Sequence, residues 1–116
     1  MPHADEALGL STRKASYGTV TQATDKSTGV TLAAQVGDVT LNGAALAAAT
    51  TVSFTLTNSL LGANDALVLN HLSAGTAGAY TLNAQVSAGS ASINVRNVTA
   101  GSLSEAIVIR FAVVKG

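Results

Sequence analysis

After the first six residues, which include His3, Asp5 and Glu6, the side chains that could act as acids, bases or metal ligands are few and lie far apart along the chain. There are two histidines, His3 and His71, and no cysteine. Acid–base catalysis needs groups with matched pKa values within mutual reach, and His71, at the end of an apolar stretch, is expected at the rim of the fold. Asp25, Asp38 and Asp65 are each expected in a turn, where aspartate bonds to the local backbone. Loops that bind hard cations group several oxygens in a short span, so these isolated aspartates predict no metal site.

Motifs for nucleophilic or phosphate chemistry are also missing. The sequence has no Gly-x-Ser-x-Gly turn and no Gly-rich phosphate loop. Asn97-Val98-Thr99 fits the glycosylation triplet, which arises easily by chance. We therefore expect a protein that is not an enzyme and needs no cofactor.

Glycan binding is the functional alternative from another class, because β-sandwiches and jelly rolls are common lectin scaffolds. A sugar site generally includes an exposed aromatic ring, and this chain has only two tyrosines and two phenylalanines. The alternation of their neighbours points Phe54 and Phe111 inward. Tyr17 and Tyr80 remain as candidates, and Tyr80 is expected to be buried.

The composition bounds the class of protein. The 116 residues suit one domain, the net charge is zero and only 10% of residues are charged, against about 25% in ordinary soluble domains. No basic cluster indicates nucleic-acid binding, and no stretch reaches the roughly 20 apolar residues of a membrane span. Two interpretations stay open: a small neutral β-domain coated with Thr and Ser, or a domain whose surface is largely buried against other chains.

Alternating apolar and polar residues predict short β-strands throughout. Their spacing predicts an all-β fold, an antiparallel β-sandwich of about eight strands with jelly-roll topology. The predicted strands are 17–22, 29–33, 39–41, 50–57, 66–72, 80–86, 90–96 and 107–114. The predicted core consists of Val52, Phe54, Leu56, Ile93, Val95, Ile107, Ile109 and Phe111.

The predicted fold is centred on the last two strands, within residues 89–114. They are joined by a turn-like stretch, 99–102. The final strand is apolar on both faces apart from Arg110, which indicates a central position, between two layers or against a partner chain.

Other segments predict turns and loops. Gly37-Asp38 and Asn42-Gly43 have turn composition. Residues 44–49 are the only helix-prone stretch and are too short for a stable helix. One helical turn or a packed loop is expected there, with Leu46 inserted into the core.

Residues 1–16 are predicted to form an N-terminal arm, ordered only on a partner or frayed, and residues 17–116 the β-domain. The arm carries apolar Leu8 and Leu10 without a place in the sandwich. An apolar outer face on the last strand would be an aggregation hazard unless another subunit or a second layer covers it. The predicted interface residues are Leu8, Leu10, Val108, Arg110, Ala112 and Val114.

Several segments of low complexity resemble runs found in small virion proteins of tailed bacteriophages, over roughly residues 17–115. They are GTVTQAT (18–24), KSTGVTL (26–32), LAAAT (46–50), VSFTLTN (52–58), GTAGAY (75–80), RNVTAG (96–101), EAIV (105–108) and FAV (111–113).

This resemblance implies a non-enzymatic structural protein of the virion. A capsid decoration (cement) protein of jelly-roll type fits the length best, and a fibre or tail component is the nearest rival. The implied partners are the major capsid protein and other copies of the chain, as a dimer or trimer. The implied location is the capsid surface, after synthesis in the host cytoplasm.

Overall fold

The computed structural model of this chain describes residues 16–116, and every regular element in that range is a β-strand. Each of the eight segments predicted as strands overlaps one of them. The part of the chain described includes no helix long and apolar enough to cross a membrane. The strands are β1 (Tyr17–Thr21), β2 (Val30–Thr31), β3 (Val36–Thr40), β4 (Thr50–Thr57), β5 (Ala66–Ser73), β6 (Tyr80–Ser87), β7 (Ser90–Asn97) and β8 (Val108–Val114).

The strands form two four-stranded sheets in a sandwich-like arrangement. The first has the order β1-β3-β8-β5 and the second β2-β4-β7-β6. The prediction of purely antiparallel sheets is wrong, because β1 pairs with β3 and β2 with β4 in parallel. The first four strands alternate between the sheets, so strands two apart in sequence run the same way side by side.

The final strand has the central position predicted for it, between β3 and β5. The strand predicted to be joined to it by a turn, β7, lies in the other sheet. The stretch after β7 therefore crosses between sheets instead of closing a hairpin. Leu103 anchors this crossing, since its backbone exchanges two hydrogen bonds with Leu46, of 2.8 and 3.0 Å.

The predicted turn at Gly37-Asp38 is wrong, because both residues lie inside β3. A Cβ on Gly37 would lie 2.5 Å from Cζ of Phe111, so glycine is present where a ring packs against the backbone. Asp38 lies directly opposite Arg110 on β8. Both turn-type residues thus serve contacts between strands.

The stretch after β3 is a packed loop, one of the two predicted alternatives. Leu46 is buried in the core. Asn42-Gly43 belongs to this loop and not to a tight hairpin, since β3 and β4 lie in different sheets. The Asn42 side chain accepts a hydrogen bond of 2.8 Å from the backbone of Ala44.

The core lies between the two sheets. Seven of the eight predicted core residues are buried, and Val52 is half-buried and packs against them. The largest fully buried apolar side chains are Phe111, Leu41, Leu56, Ile93, Ile107, Ile109, Val39 and Val95.

Candidate docking surface

The outward side chains of β1, β3, β8 and β5 form a continuous surface, which we call the docking face. The four predicted interface residues of β8 all belong to it, since they alternate with the buried Ile109 and Phe111. Val108, Arg110 and Ala112 are half-buried within the sheet, and Val114 is 50% exposed. The other two candidates, Leu8 and Leu10, lie outside the residues that the structure describes.

One end of the docking face is apolar. Ala112 lies between Val36 of β3 and Val68 of β5, and Val114 pairs with Ala66. Val68 is 49% exposed and Val114 50%. Three adjacent strands therefore present an apolar patch, the kind of surface that marks contact sites on soluble proteins.

The middle of the docking face holds a compact polar cluster of Tyr17, Asp38 and Arg110. Arg110 donates from Nε to Oδ1 of Asp38 at 2.8 Å and from Nη2 to Oδ2 at 3.0 Å. The Tyr17 hydroxyl donates to the same carboxylate, and its ring centroid lies 5.7 Å from the guanidinium carbon. The guanidinium lowers the pKa of Asp38, and the carboxylate raises the pKa of Arg110. The two charges neutralise one another within the face.

The outer face of the second sheet has a different character. Its outward side chains are almost all hydroxyls and amides, and Arg96 is the one charged residue in its four strands. A row of hydrogen bonds crosses three strands: Ser53 donates to Asn94 at 2.6 Å, and Asn94 donates to Asn83 at 2.6 Å. This face is polar and nearly uncharged.

The two tyrosines considered for glycan binding have separate positions. Tyr17 is 56% exposed, but its hydroxyl is bound to Asp38. Tyr80 is buried, as expected, and donates to Oε1 of Glu105 at 2.8 Å. Burial, reinforced by Glu105, raises the pKa of Tyr80. Only Tyr17 offers an accessible ring.

Sequence reasoning missed a clasp formed by Glu105. Its carboxylate accepts hydrogen bonds from the backbone and hydroxyl of Thr76, at 3.0 and 2.7 Å, and from Tyr80. These donors, Thr76 first, lower the pKa of Glu105. His71 packs its ring edge against Tyr80 and bonds through Nε2 to the Ala74 carbonyl at 2.7 Å. His71 thus has a local structural contact in this cluster.

A buried lysine was also missed. Lys26 is 3% exposed, and its ammonium donates to the backbone carbonyls of Asn42, Ala44 and Glu105, the last two at 2.7 and 2.8 Å. Burial lowers the pKa of Lys26, and the charge of Glu105 opposes that shift. Its turn sequence gives no signal for this role, because the three acceptors come from distant segments. The side chain joins three loops at one end of the fold.

The other two aspartates within residues 16–116 differ in their partners, which are local for Asp25 and mostly distant in sequence for Asp65. Asp25 caps its own turn through Ser27, at 2.9 Å to the backbone and 2.7 Å to the hydroxyl, as predicted. Asp65 accepts from the Lys115 ammonium at 2.6 Å and from the backbones of Gly116 and Gly62 at 3.0 and 2.7 Å, and these bonds, with that of Lys115 first, lower its pKa to about 2. Within residues 16–116, no three acidic or histidine side chains are grouped as metal ligands.

The glycosylation triplet is closed off by packing. Asn97 is fully buried, and its amide nitrogen donates to the carbonyls of Leu46 and Gly101, at 2.9 and 2.8 Å. Its oxygen accepts from Thr99. The folded chain therefore leaves this nitrogen inaccessible to a glycan.

No protein-family model, curated protein or solved structure gives a significant match to this chain.

Proposed function

We propose that this protein is a structural, non-enzymatic component of a tailed-bacteriophage virion, a decoration protein that binds the major capsid protein and stabilises the shell. Under this proposal the two-sheet fold belongs to the jelly-roll class. The observation that carries the proposal is the docking face, whose apolar patch includes the half-exposed Val68 and Val114. The resemblance of the segments named above to small virion proteins supports it.

The docking face suits a flat, repeated contact. Removal of its apolar patch from water lowers the free energy of the assembly. The charges of Asp38 and Arg110 are already paired, so covering them leaves no isolated charge without a partner. A contact of this kind, repeated over a shell, adds many small contributions to the cohesion of the capsid.

Residues 1–16 are the proposed arm in this assembly, reaching a neighbouring subunit. The chain enters β1 beside the apolar end of the docking face, where the Ser16 carbonyl accepts from the backbone of Val36 at 3.0 Å. Deletion of residues 1–16 is expected to weaken shell binding while the β-domain stays folded. A truncated protein that occupies shells fully would contradict the arm.

The proposal is tested with shells of the parent phage prepared without this protein. Val68→Asp and Val114→Asp place a charge in the apolar patch, and each is expected to weaken shell binding at least about tenfold. Thr55→Asp is the matched control, since Thr55 is exposed on the other sheet. Circular dichroism checks that all three variants fold. Equal binding by all variants would rule out the docking face.

Two other assignments give different results. A few copies per purified virion would indicate a tail or fibre component, whereas hundreds indicate the shell. The exposed Tyr17 ring beside Arg110 favours glycan binding as the second candidate. Glycan-array binding that Tyr17→Ala abolishes, without loss of fold, would support that alternative.

A further inference from the structure

The two sheets have four edge strands, and these edges differ in how they are protected. They are β1 and β5 in the first sheet and β2 and β6 in the second. An edge strand exposes unpaired backbone N–H and C=O groups, which can pair with another chain. Natural proteins limit this with short strands, bulges, prolines or charged side chains.

Two of the edges, β2 and β5, have such features, and the third, β1, is shorter than β6 and is weakened by a glycine. β2 has only two residues. β5 is interrupted by a bulge between His71 and Ser73. β1 has five residues and includes Gly18, which weakens a strand.

The β6 edge has none of them. It runs for eight residues, Tyr80–Ser87, and pairs with β7 over its whole length without a bulge. It contains no proline, glycine or charged residue. Within residues 16–116, no strand forms backbone pairing with its free edge, although β5 of the other sheet approaches β6, with His71 against Tyr80.

We propose that this free edge pairs antiparallel with β6 of a second copy of the chain, across a two-fold axis. The pairing joins two second sheets into one continuous sheet of eight strands. A two-fold interface sets a surface against itself, so a charged residue on the edge would meet its own kind. Because β6 carries no charge, two copies of it can lie side by side without repulsion. A strand that binds a different partner has no need to be free of charge.

The side chains of β6 fit the same arrangement. Leu82, Ala84 and Val86 point toward the core but are only half-buried. In the proposed dimer, β6 of the second copy covers their exposed parts. On the outer side, Asn83 accepts from Asn94 through its oxygen. Its amide nitrogen donates to no atom within residues 16–116, so it can extend the amide row across the axis.

This pairing is separate from shell docking, because it uses the second sheet whereas the docking face belongs to the first. The experiments below use the isolated full-length protein. Their failure would leave the proposed function untouched, and loss of shell binding would leave the dimer untouched.

Sedimentation over a concentration series gives the dimer dissociation constant. The double substitution Asn83→Lys, Gln85→Lys places four positive charges across the axis and is expected to raise that constant at least about tenfold. Asn70→Lys is the control, since Asn70 is exposed on the bulged edge strand β5. A wild-type protein that is monomeric at about 100 µM, or a dimer that the double substitution does not weaken, would overturn the proposal.

Disulfide trapping tests the pairing directly, because the chain has no cysteine. Thr81→Cys, Asn83→Cys, Gln85→Cys and Ser87→Cys are oxidised separately, with Asn70→Cys and Thr55→Cys as controls. Crosslinked dimer is expected to form fastest at one or two neighbouring positions of β6, which gives the register. Equal rates at β6 and control positions would exclude a β6–β6 pair.

Discussion

Asp38 and Arg110 face each other across the pairing of β3 with β8 and form a bidentate ion pair, with Nε 2.8 Å from Oδ1. The pair sits on the outer side of the sheet, directly behind the buried Ile109 and Phe111. It connects the central strand to β3 by side chains as well as by backbone hydrogen bonds. The same two residues therefore stabilise the first sheet and form the polar centre of the docking face.

The first prediction concerns acid stability. The Arg110 guanidinium lowers the pKa of Asp38 below its ordinary value of 3.8, so the pair stabilises the fold above that pH. Its contribution is lost as the pH falls through the folded-state pKa. Arg110→Gln should lower the free energy of unfolding near neutral pH, and its difference from wild type should shrink toward pH about 2. Urea unfolding from pH 7 to pH 2 measures this.

The matched control for that experiment is Arg96→Gln. Arg96 is exposed on β7 and has no ion-pair partner within residues 16–116. Its replacement should change stability little, with no pH-dependent difference of this kind. If the free energy of unfolding changed with pH in the same way for both variants, the Asp38–Arg110 pair would not stabilise the fold.

The second prediction concerns Gly37 beneath the Phe111 ring. A Cβ there would lie 2.5 Å from Cζ of Phe111 and 2.7 Å from Cδ2 of Leu32. Gly37→Ala should therefore destabilise the fold by about 1–3 kcal/mol through overpacking. Gly43→Ala, where a Cβ meets nothing within 4 Å, should be neutral or slightly stabilising. Equal unfolding midpoints for the two variants would contradict the packing of Phe111 on Gly37.

The alternation of apolar residues was enough to predict the strands and the core. A strand such as β4 buries Phe54 and Leu56 on one face while its polar residues stay outside, so its period can be read without neighbours. The period does not encode the sheet to which a strand belongs. The parallel β1–β3 and β2–β4 pairs, and the separation of β7 from β8, depend on the crossings between sheets.

The polar contacts were predicted less well, because they depend on distant residues. Asp38 has turn-type chemistry in its local sequence, but its partner Arg110 lies 72 residues away. Lys26 lies 79 residues from the Glu105 carbonyl that it binds. Asp25, whose partners lie two and three residues away, was correctly placed in a turn. Local chemistry was predictable, and chemistry created by tertiary contacts was not.

The third prediction concerns the buried ammonium of Lys26. Lys26→Met keeps much of the apolar stem but removes the donor to three carbonyls, those of Asn42, Ala44 and Glu105. Acceptors left without a donor in a buried site are costly, and the expected loss is about 2–4 kcal/mol. Thermal unfolding followed by circular dichroism measures it.

Lys115→Met is the control for Lys26. The Lys115 side chain is 58% exposed in its ion pair with Asp65, and surface pairs contribute little. It should therefore reduce stability much less than Lys26→Met. If both variants have the same midpoint of thermal unfolding, the Lys26 ammonium does not stabilise the loops around it.

The last prediction concerns Asn97, which has a donor side and an acceptor side in a fully buried site. Its nitrogen faces the carbonyls of Leu46 and Gly101, and its oxygen accepts two hydrogen bonds from Thr99. Asn97→Asp sets a carboxylate oxygen against both carbonyls and should cost about 3 kcal/mol or more at pH 7. At pH 3 the protonated acid can donate to one carbonyl, so part of that loss should return. Asn64→Asp, at an exposed loop position, should cost little at either pH. A loss for Asn97→Asp that stays the same at pH 3 would show that the missing donor is not its cause.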